Sequence, residues 1–249
     1  MKLFSIIVAT YNSEDIVQNC LQSIVNQSFT DYEIIIIDGK SKDGTLRAME
    51  KFASNITHLV SEADKGVYDA WNKGLKLASG KWVMFVGTDD ELLTDSLQSY
   101  ADFIKKNSFD EMDFISSKNI LINKKGETLR IFGEAWNWKV FKKYMNVAHV
   151  GALHSNAYFQ SYGLFNAEFK IAGDYELLLR AKSKLKSAFL DKINAKMGYG
   201  GISTANTRVF KEAFNAKHNS GGVSYLNCLT DDCIARIKYV YRKIVHRYE

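Results

Sequence analysis

With 249 residues, 46% of them hydrophobic and 24% charged, the chain can bury the core of one large domain and is not broadly disordered. Its formal charge of +5 suits anionic ligands or an anionic membrane surface and gives no reason to invoke nucleic acid. Cys20, Cys228 and Cys233 form neither a zinc-ligand pattern nor a disulfide framework, so they read as reduced thiols. The opening apolar run ends at once in Tyr11-Asn12-Ser13-Glu14-Asp15, too short for a secretory core. No stretch approaches the roughly 20 apolar residues that cross a bilayer. These features set the expectation of a cytoplasmic protein. There is no proline, so turns must rest on Gly, Asn, Asp and Ser.

The first half alternates. Leu3–Ala9 is a continuous apolar run of the kind a strand buried on both faces requires. Helical spacing follows over 13–27, with Ser13 placed to cap. Tyr32–Ile37 predicts a second buried strand and Thr45–Ser54 a second helix. His58–Ser61, Val67–Ala78 and Trp82–Val86 predict strand, helix and strand, and 94–107 a further helix. This order points to a doubly wound, mostly parallel sheet flanked by helices. The second half is less regular. Residues 114–132 read as a hairpin turning at Lys124-Lys125-Gly126, and aromatic-rich 134–144 as a cover for a pocket. Helices are predicted over 173–185 and 231–248.

Ligands of an open parallel sheet bind outside the carboxyl ends of its strands. Those ends read "TYNSED" (10–15), "DGKSKDGT" (38–45), "SEADKGVYDAWNKG" (61–74) and "GTDDE" (87–91). Each has an ordinary reading. Asp43-Gly44 is a common turn, Asp38 can cap a helix, and Asn72-Lys73-Gly74 can end one. Together, at successive strand ends, they describe one acidic, polar crevice.

"IIVATYN", "DGKSKDGT", "SEADKGVYDAWNKG", "GTDD" and "GDYELLLR" together resemble the ordered motifs of glycosyltransferase family 2, inverting nucleotide-sugar enzymes of the GT-A fold. The resemblance spans roughly residues 3–205 and is nearest to bacterial members that build surface polysaccharides. It implies one glycosyltransferase domain over 1–215, with a nucleotide-sugar half (1–95), an acceptor half (96–215) and a helical tail (216–249). Thr10, Tyr11 and Asp38 would surround the nucleobase, and Asp64, Lys65 and Asn72 would line the donor pocket. Asp89 would meet the ribose or the outer shell of a cation, and Asp90 would hold Mg²⁺ or Mn²⁺ against the diphosphate. Such hard cations are commonly held by one or two carboxylates plus phosphate oxygens. The donor implied is a nucleoside diphosphate sugar of the UDP type, and the acceptor a glycan hydroxyl, plausibly lipid-linked. Lys40 and Thr88 depart from the commoner residues of the family at their positions, which bears on donor choice.

The same resemblance makes Asp174 the base that deprotonates the acceptor. As a residue opening a helix, Asp174 is equally suited to capping. Glu176 is the reserve, about 200° further round that helix. His154 matches a histidine of the family near the acceptor or diphosphate, or else belongs to the core; His149 has a weaker case. Glycine-rich 198–204 would close over the donor or form a simple turn, with Arg208 beyond it as a phosphate contact. In the tail, Ile234, Ile237, Tyr241, Ile244 and Tyr248 form an apolar stripe beside Arg236, Arg242, Lys243 and Arg247. That helix would lie on an anionic membrane face, pack on its own domain, or join a homodimer. Two other functions share these features: an inactive nucleotide-sugar-binding scaffold, and a sugar nucleotidyltransferase.

Overall fold

The chain is described as a computed structural model over residues 2–109, 111–123, 125–200 and 207–245. Strand β1 (Phe4–Thr10) lies between β2 (Tyr32–Asp38) and β4 (Trp82–Gly87), parallel to both, and β3 (His58–Ser61) extends the sheet beyond β2. The order β3-β2-β1-β4 makes the β1/β4 boundary the point where the winding reverses. A crevice opens at the carboxyl ends of the strands at such a switch point.

Alternation along these strands divides the core in two. Ile7, Ile35, Ile37, Val83 and Phe85 face one side, against Tyr68 and Trp71 of α3 (Val67–Leu75) and Leu177 to Leu179 of α7 (Gly173–Ala181). Phe4, Ile6, Val8, Ile34, Ile36, Trp82, Met84 and Val86 face the other. There they meet α1 (Val17–Val25), α2 (Thr45–Met49) and α4 (Ser96–Asn107). Because both faces are covered, the strands read as unbroken apolar runs. Each fully buried side chain of this type contributes about 1.5–3 kcal/mol.

The sheet then changes character. β8 (Leu153–Ser155) pairs antiparallel with β4, β6 (Phe114–Ile122) antiparallel with β8, and β9 (Ser187–Gly198) parallel with β6. β5 (Asp90–Leu92) closes that edge against β9, while β7 (Thr128–Phe132) forms the hairpin partner of β6. Lys124 of the hairpin turn lies outside the described residues; Gly126 adopts φ +80°. The remaining helices are α5 (Trp138–Phe141), α6 (Asn156–Tyr162), α8 (Arg208–Asn215) and α9 (Tyr225–Val245).

Helix boundaries differ from the sequence expectation for local reasons. α1 begins at Val17, because Ser13 does not cap it with its hydroxyl. The Ser13 carbonyl accepts the N–H groups of Ile16 and Val17, while its Oγ lies 3.0 Å from Thr88 Oγ1. The second helix is α for one turn and 3₁₀ over Glu50–Phe52. Helix α7, expected over 173–185, ends at Ala181 and passes into a 3₁₀ turn, Lys182–Lys184.

α3 lies so close to the sheet that a Cβ on Gly74 would sit 2.5 Å from Ile7 Cγ2. In an exposed helix Gly→Ala stabilises by up to about 1 kcal/mol. Here Gly74→Ala is expected to lower stability by about 1–3 kcal/mol through overpacking. Urea denaturation measures it, and an unchanged or raised midpoint would show that the α3–β1 contact has room.

Candidate active site

Register carries the polar tips to one rim. Thr10 pairs with Asp38, Asp38 with Ser61, and Ala9 with Gly87. The first two loops interlock. Asn12, at φ +46°, receives the Lys42 N–H on its side chain and donates its own N–H to Ser41 Oγ. Glu14 Oε2 accepts the Gly44 N–H at 2.9 Å, while Asp43 accepts the Glu14 N–H at 3.2 Å. Asp43 is thus a turn residue. Lys40 adopts φ +64°, a conformation that favours glycine, at the position where the chain departs from the family's small residue.

Tyr11 and Asp64 flank Gly39, where a Cβ would lie 2.7 Å from Asp64 Oδ2 and 3.2 Å from the Tyr11 ring. Tyr11 is 60% exposed and offers a free ring face. Asp64 also accepts the Gly66 N–H, and Gly66 takes φ +118° to start α3. Lys65 is exposed beside them. Asp38 is fully buried, receiving the Ser41 N–H and the hydroxyls of Ser41 and Ser61. It therefore braces the rim from beneath instead of lining its surface.

Asp89 is exposed and Asp90 is 4% exposed, because the chain leaves β4 at Gly87 and turns into β5. The two carboxylates nevertheless converge. A Cβ on Gly87 would lie 2.8 Å from Asp89 Oδ1 and 2.9 Å from Asp90 Oδ2. Asp90 Oδ2 accepts the Gly87 N–H at 3.1 Å, whereas Oδ1 is buried without a hydrogen-bond partner among the described residues. Burial, and next the charge of Asp89, push the Asp90 carboxyl well above the usual range against the pull of the Gly87 and Gly198 N–H groups. A divalent cation fits this pair: it would satisfy the unpartnered oxygen and offset both penalties. No group of three His, Cys, Asp or Glu suited to a metal occurs among the described residues. The protein offers two carboxylates and leaves the other positions to a ligand.

Asp174 lies in the first turn of α7 and does not act as its N-cap. The Tyr68 hydroxyl donates to the Ile171 carbonyl at 2.7 Å and lies 3.2 Å from Asp174 Oδ1. His149 Nδ1 is 4.0 Å from Asp174 Oδ2. Gly173 admits this arrangement, since a Cβ there would meet the Tyr68 ring at 2.7 Å. Glu176 is removed from consideration. It is buried, accepts two bonds from Arg180 and one from the Ser220 hydroxyl, and has no room for a substrate.

Three other expected site residues lie elsewhere. Asn72 engages the backbone of Phe165 with both ends of its amide, so it fixes the 165 segment. His154 is fully buried among Phe85, Phe114, Phe159 and His149, with neither ring nitrogen bonded. Arg208 pairs with Glu212 on α8. Residues 201–204 of the glycine-rich segment lie outside the described residues. A cavity of about 630 Å³ beside α8 is lined by Arg208, Glu212 and Arg236 among others, and none of the candidate carboxylates lines it.

Sequence reasoning gave no role to Tyr68, although it stands within a quoted motif, and underweighted His149. It missed Glu212 altogether. Glu212 accepts the N–H groups of Lys170, Ile171 and Ala172, which lead directly into Gly173 and Asp174. Burial raises its carboxyl, but those N–H bonds outweigh burial and leave it lowered. Its one local partner is Arg208, four positions earlier; the N–H groups that matter here lie about forty positions away.

The family model for glycosyl transferase family 2 matches residues 5–165. The chain belongs to glycosyltransferase family 2. A Mycobacterium tuberculosis protein named PGL/p-HBAD biosynthesis glycosyltransferase is 32% identical over 219 residues, covering 84% of this chain and 82% of that one. Staphylococcus aureus TarS, a poly(ribitol-phosphate) beta-N-acetylglucosaminyltransferase, is 36% identical over 115 residues, 44% of this chain and 20% of its own. Residues 1–349 of TarS in complex with UDP-GlcNAc superpose with a TM-score of 0.70 at 23% identity. They cover 92% of this chain and 69% of that one. The mannosyltransferase PcManGT from Pyrobaculum calidifontis, in complex with GDP-Man and Mn²⁺, gives 0.58 at 15% identity, over 94% of this chain and 75% of that one. These likenesses show the GT-A fold of this glycosyltransferase. The family match ends at Phe165, before Asp174.

Burial holds the imidazoles of His149 and His154 below the ordinary value of 6.5. Asp174 opposes this at His149, and His149 reinforces it at His154, which lies well below. Their contribution to stability is complete above pH 6.5 and is lost on acidification, because the unfolded chain then takes protons the folded one refuses. A histidine that stays neutral costs about 1.4 kcal/mol per pH unit below that point. His154→Leu suits the apolar cage and is expected to lose about 1 kcal/mol less than wild type between about pH 7.5 and about pH 5.5. Urea denaturation at both pH values measures this, and parallel losses would assign the acid sensitivity to other groups.

Proposed function

We propose that this glycosyltransferase moves a sugar, with inversion, from a UDP-type nucleoside diphosphate donor to a hydroxyl of a surface-glycan acceptor carried on a lipid. The convergence of Asp89 and Asp90 on Gly87, with Asp90 Oδ1 buried and unpartnered, carries this reading. Two adjacent carboxylates would repel a diphosphate unless a cation lay between them. Asp90, with Asp89, would hold Mg²⁺ or Mn²⁺ there. When bound, such an ion acts as a Lewis acid that neutralises the charge of the departing diphosphate, worth several kcal/mol. The names of the relatives support the acceptor class: one is a PGL/p-HBAD biosynthesis enzyme and another modifies poly(ribitol-phosphate). A TarS fragment of similar fold binds UDP-GlcNAc, which supports the donor class.

The chain's own residues supply the rest. Tyr11 presents a ring face to the nucleobase, Asp64 closes the rim beside it, and Lys65 reaches a phosphate as a point charge. Asp174 takes the acceptor hydroxyl proton as that oxygen bonds to the anomeric carbon and the bond to the diphosphate breaks. The Tyr68 hydroxyl, shared between the Ile171 carbonyl and Asp174 Oδ1, and the His149 ring, 4.0 Å from Oδ2, flank the Asp174 carboxylate. Burial lowers the His149 imidazole, which favours its neutral form beside Asp174.

Calorimetry of UDP with and without Mn²⁺, together with turnover of a panel of nucleotide sugars, tests these roles. Asp90→Ala is expected to abolish the metal-dependent part of UDP binding. Wild-type protein that binds UDP equally in EDTA would overturn the cation site. Asp174→Asn is expected to keep UDP affinity while turnover falls by about 10²–10⁴-fold. A variant that turns over at the wild-type rate would remove Asp174 as the base. Tight UDP-sugar binding with no turnover on any acceptor would favour the inactive scaffold.

A further inference from the structure

Residues 163–172, between α6 and α7, belong to no helix or strand, and they lead directly to Asp174. No ladder fixes such a segment, so its backbone groups take partners from elsewhere in the fold. Three contacts tie it to α3 and the turn before it. The Asn72 amide holds both the N–H and the carbonyl of Phe165, the Lys170 ammonium sits on the Lys65 carbonyl, and the Tyr68 hydroxyl donates to the Ile171 carbonyl. The last three N–H groups before α7 all go to one side chain. Glu212, buried on α8, accepts from Lys170 at 3.1 Å, from Ile171 at 2.8 Å and from Ala172 at 3.0 Å.

We infer that Glu212 is a positioning residue for Asp174. It acts through the chain that carries the aspartate. Ile171 is bonded at both of its backbone groups, its N–H to Glu212 and its carbonyl to Tyr68. The same Tyr68 hydroxyl lies 3.2 Å from Asp174 Oδ1. Ala172 is the N-cap of α7, which has no side-chain cap of its own, and Gly173 alone separates it from Asp174. Glu212 thus fixes the backbone at the point where the aspartate and its hydroxyl neighbour are set against each other. A carboxylate suits this task because its two oxygens can serve three donors. An amide would offer one oxygen and turn its own N–H groups towards the rest.

The ordinary role of such a residue is to fasten α8 to the domain. A buried carboxylate is costly unless it is paired and hydrogen-bonded, and here Arg208 Nε at 2.6 Å joins the three N–H groups in meeting that cost. Fastening does not require all three bonds to fall on the last residues before α7. The loops of the donor rim are bonded to each other through Asn12 with Lys42 and Glu14 with Gly44. Loss of Glu212 therefore displaces Asp174 and leaves those loops in place, so its effect falls on turnover and spares nucleotide binding. This role rests on Asp174 being the base in the function proposed above.

Turnover of the nucleotide-sugar panel, expressed per UDP-binding site counted by calorimetry with Mn²⁺, tests the inference. Glu212→Ala is expected to lower kcat by about 10²-fold, the cost of a misplacement of about 1 Å, with UDP affinity unchanged. Glu212→Gln keeps one acceptor oxygen and is expected to recover part of that loss; it also carries the test if the alanine variant does not fold. In the Asp174→Asn background either substitution is expected to cost nothing further, because the group it positions is gone. Unchanged kcat in both variants, or weakened UDP binding, would overturn the inference. So would a full second loss on top of Asp174→Asn, which would leave Glu212 as a fastener of α8. Glu212 variants at the wild-type rate beside an impaired Asp174→Asn would overturn the positioning role alone. Asp174→Asn at the wild-type rate would remove the base itself, and the role of Glu212 with it.

Discussion

Asp90 is held in the interior by the N–H group of Gly87, with the exposed charge of Asp89 beside it. This arrangement is costly in isolation. A buried carboxylate with an unpartnered oxygen and an anionic neighbour is a group that folding alone would select against. Strand order explains how it persists. β4 stops at the switch point, the chain turns back through Thr88 and Asp89, and β5 is captured by β9 across the far edge of the sheet. The large two-sided core pays for a destabilised pair at its rim, the pair to which the cation is assigned in the proposed function.

Much of this was legible in the sequence because it follows from short-range rules. The strands β1, β2 and β4 are buried on both faces, so their apolar runs are continuous, and they appeared where expected. Their polar ends were legible as one crevice because parallel strands share a carboxyl edge. What the motifs do there was less legible. Asp43, Glu14 and Asn12 interlock two loops, and Asp38 is covered by Ser41 and Ser61, so part of the motif shapes the rim without facing a ligand. Asn72 was misread because its partner is the Phe165 backbone, 93 residues away. Two readings were open for His154, near the acceptor or diphosphate or in the core; pairing with Val83 and Phe114 sends its ring into the aromatic core. Around Glu212 the sequence offers only an ordinary i,i+4 pair with Arg208, because its backbone N–H partners are in another part of the fold.

The second half follows a different logic from the first. Asp174 is not fixed by a strand end but by side chains converging from three elements: Tyr68 from α3, His149 from the loop before β8, and Glu212 from α8 through the 170–172 backbone. Two of these act on the carboxylate and one on the chain that carries it. Burial lowers the His149 imidazole against the opposing charge of Asp174, 4.0 Å away.

Helix α3 is nine residues long, with the Asp64-Lys65-Gly66 turn at its start and Tyr68 in its first turn. Tyr68 touches Asp174 across Gly173, and Lys65 is tied to the same region by the Lys170 ammonium on its carbonyl. One short helix therefore joins the rim at the strand ends to Asp174. The 64–66 turn and Tyr68 share one turn of helix, so the position of the rim and that of the Asp174 side chain are set by the same element and need no distant relay.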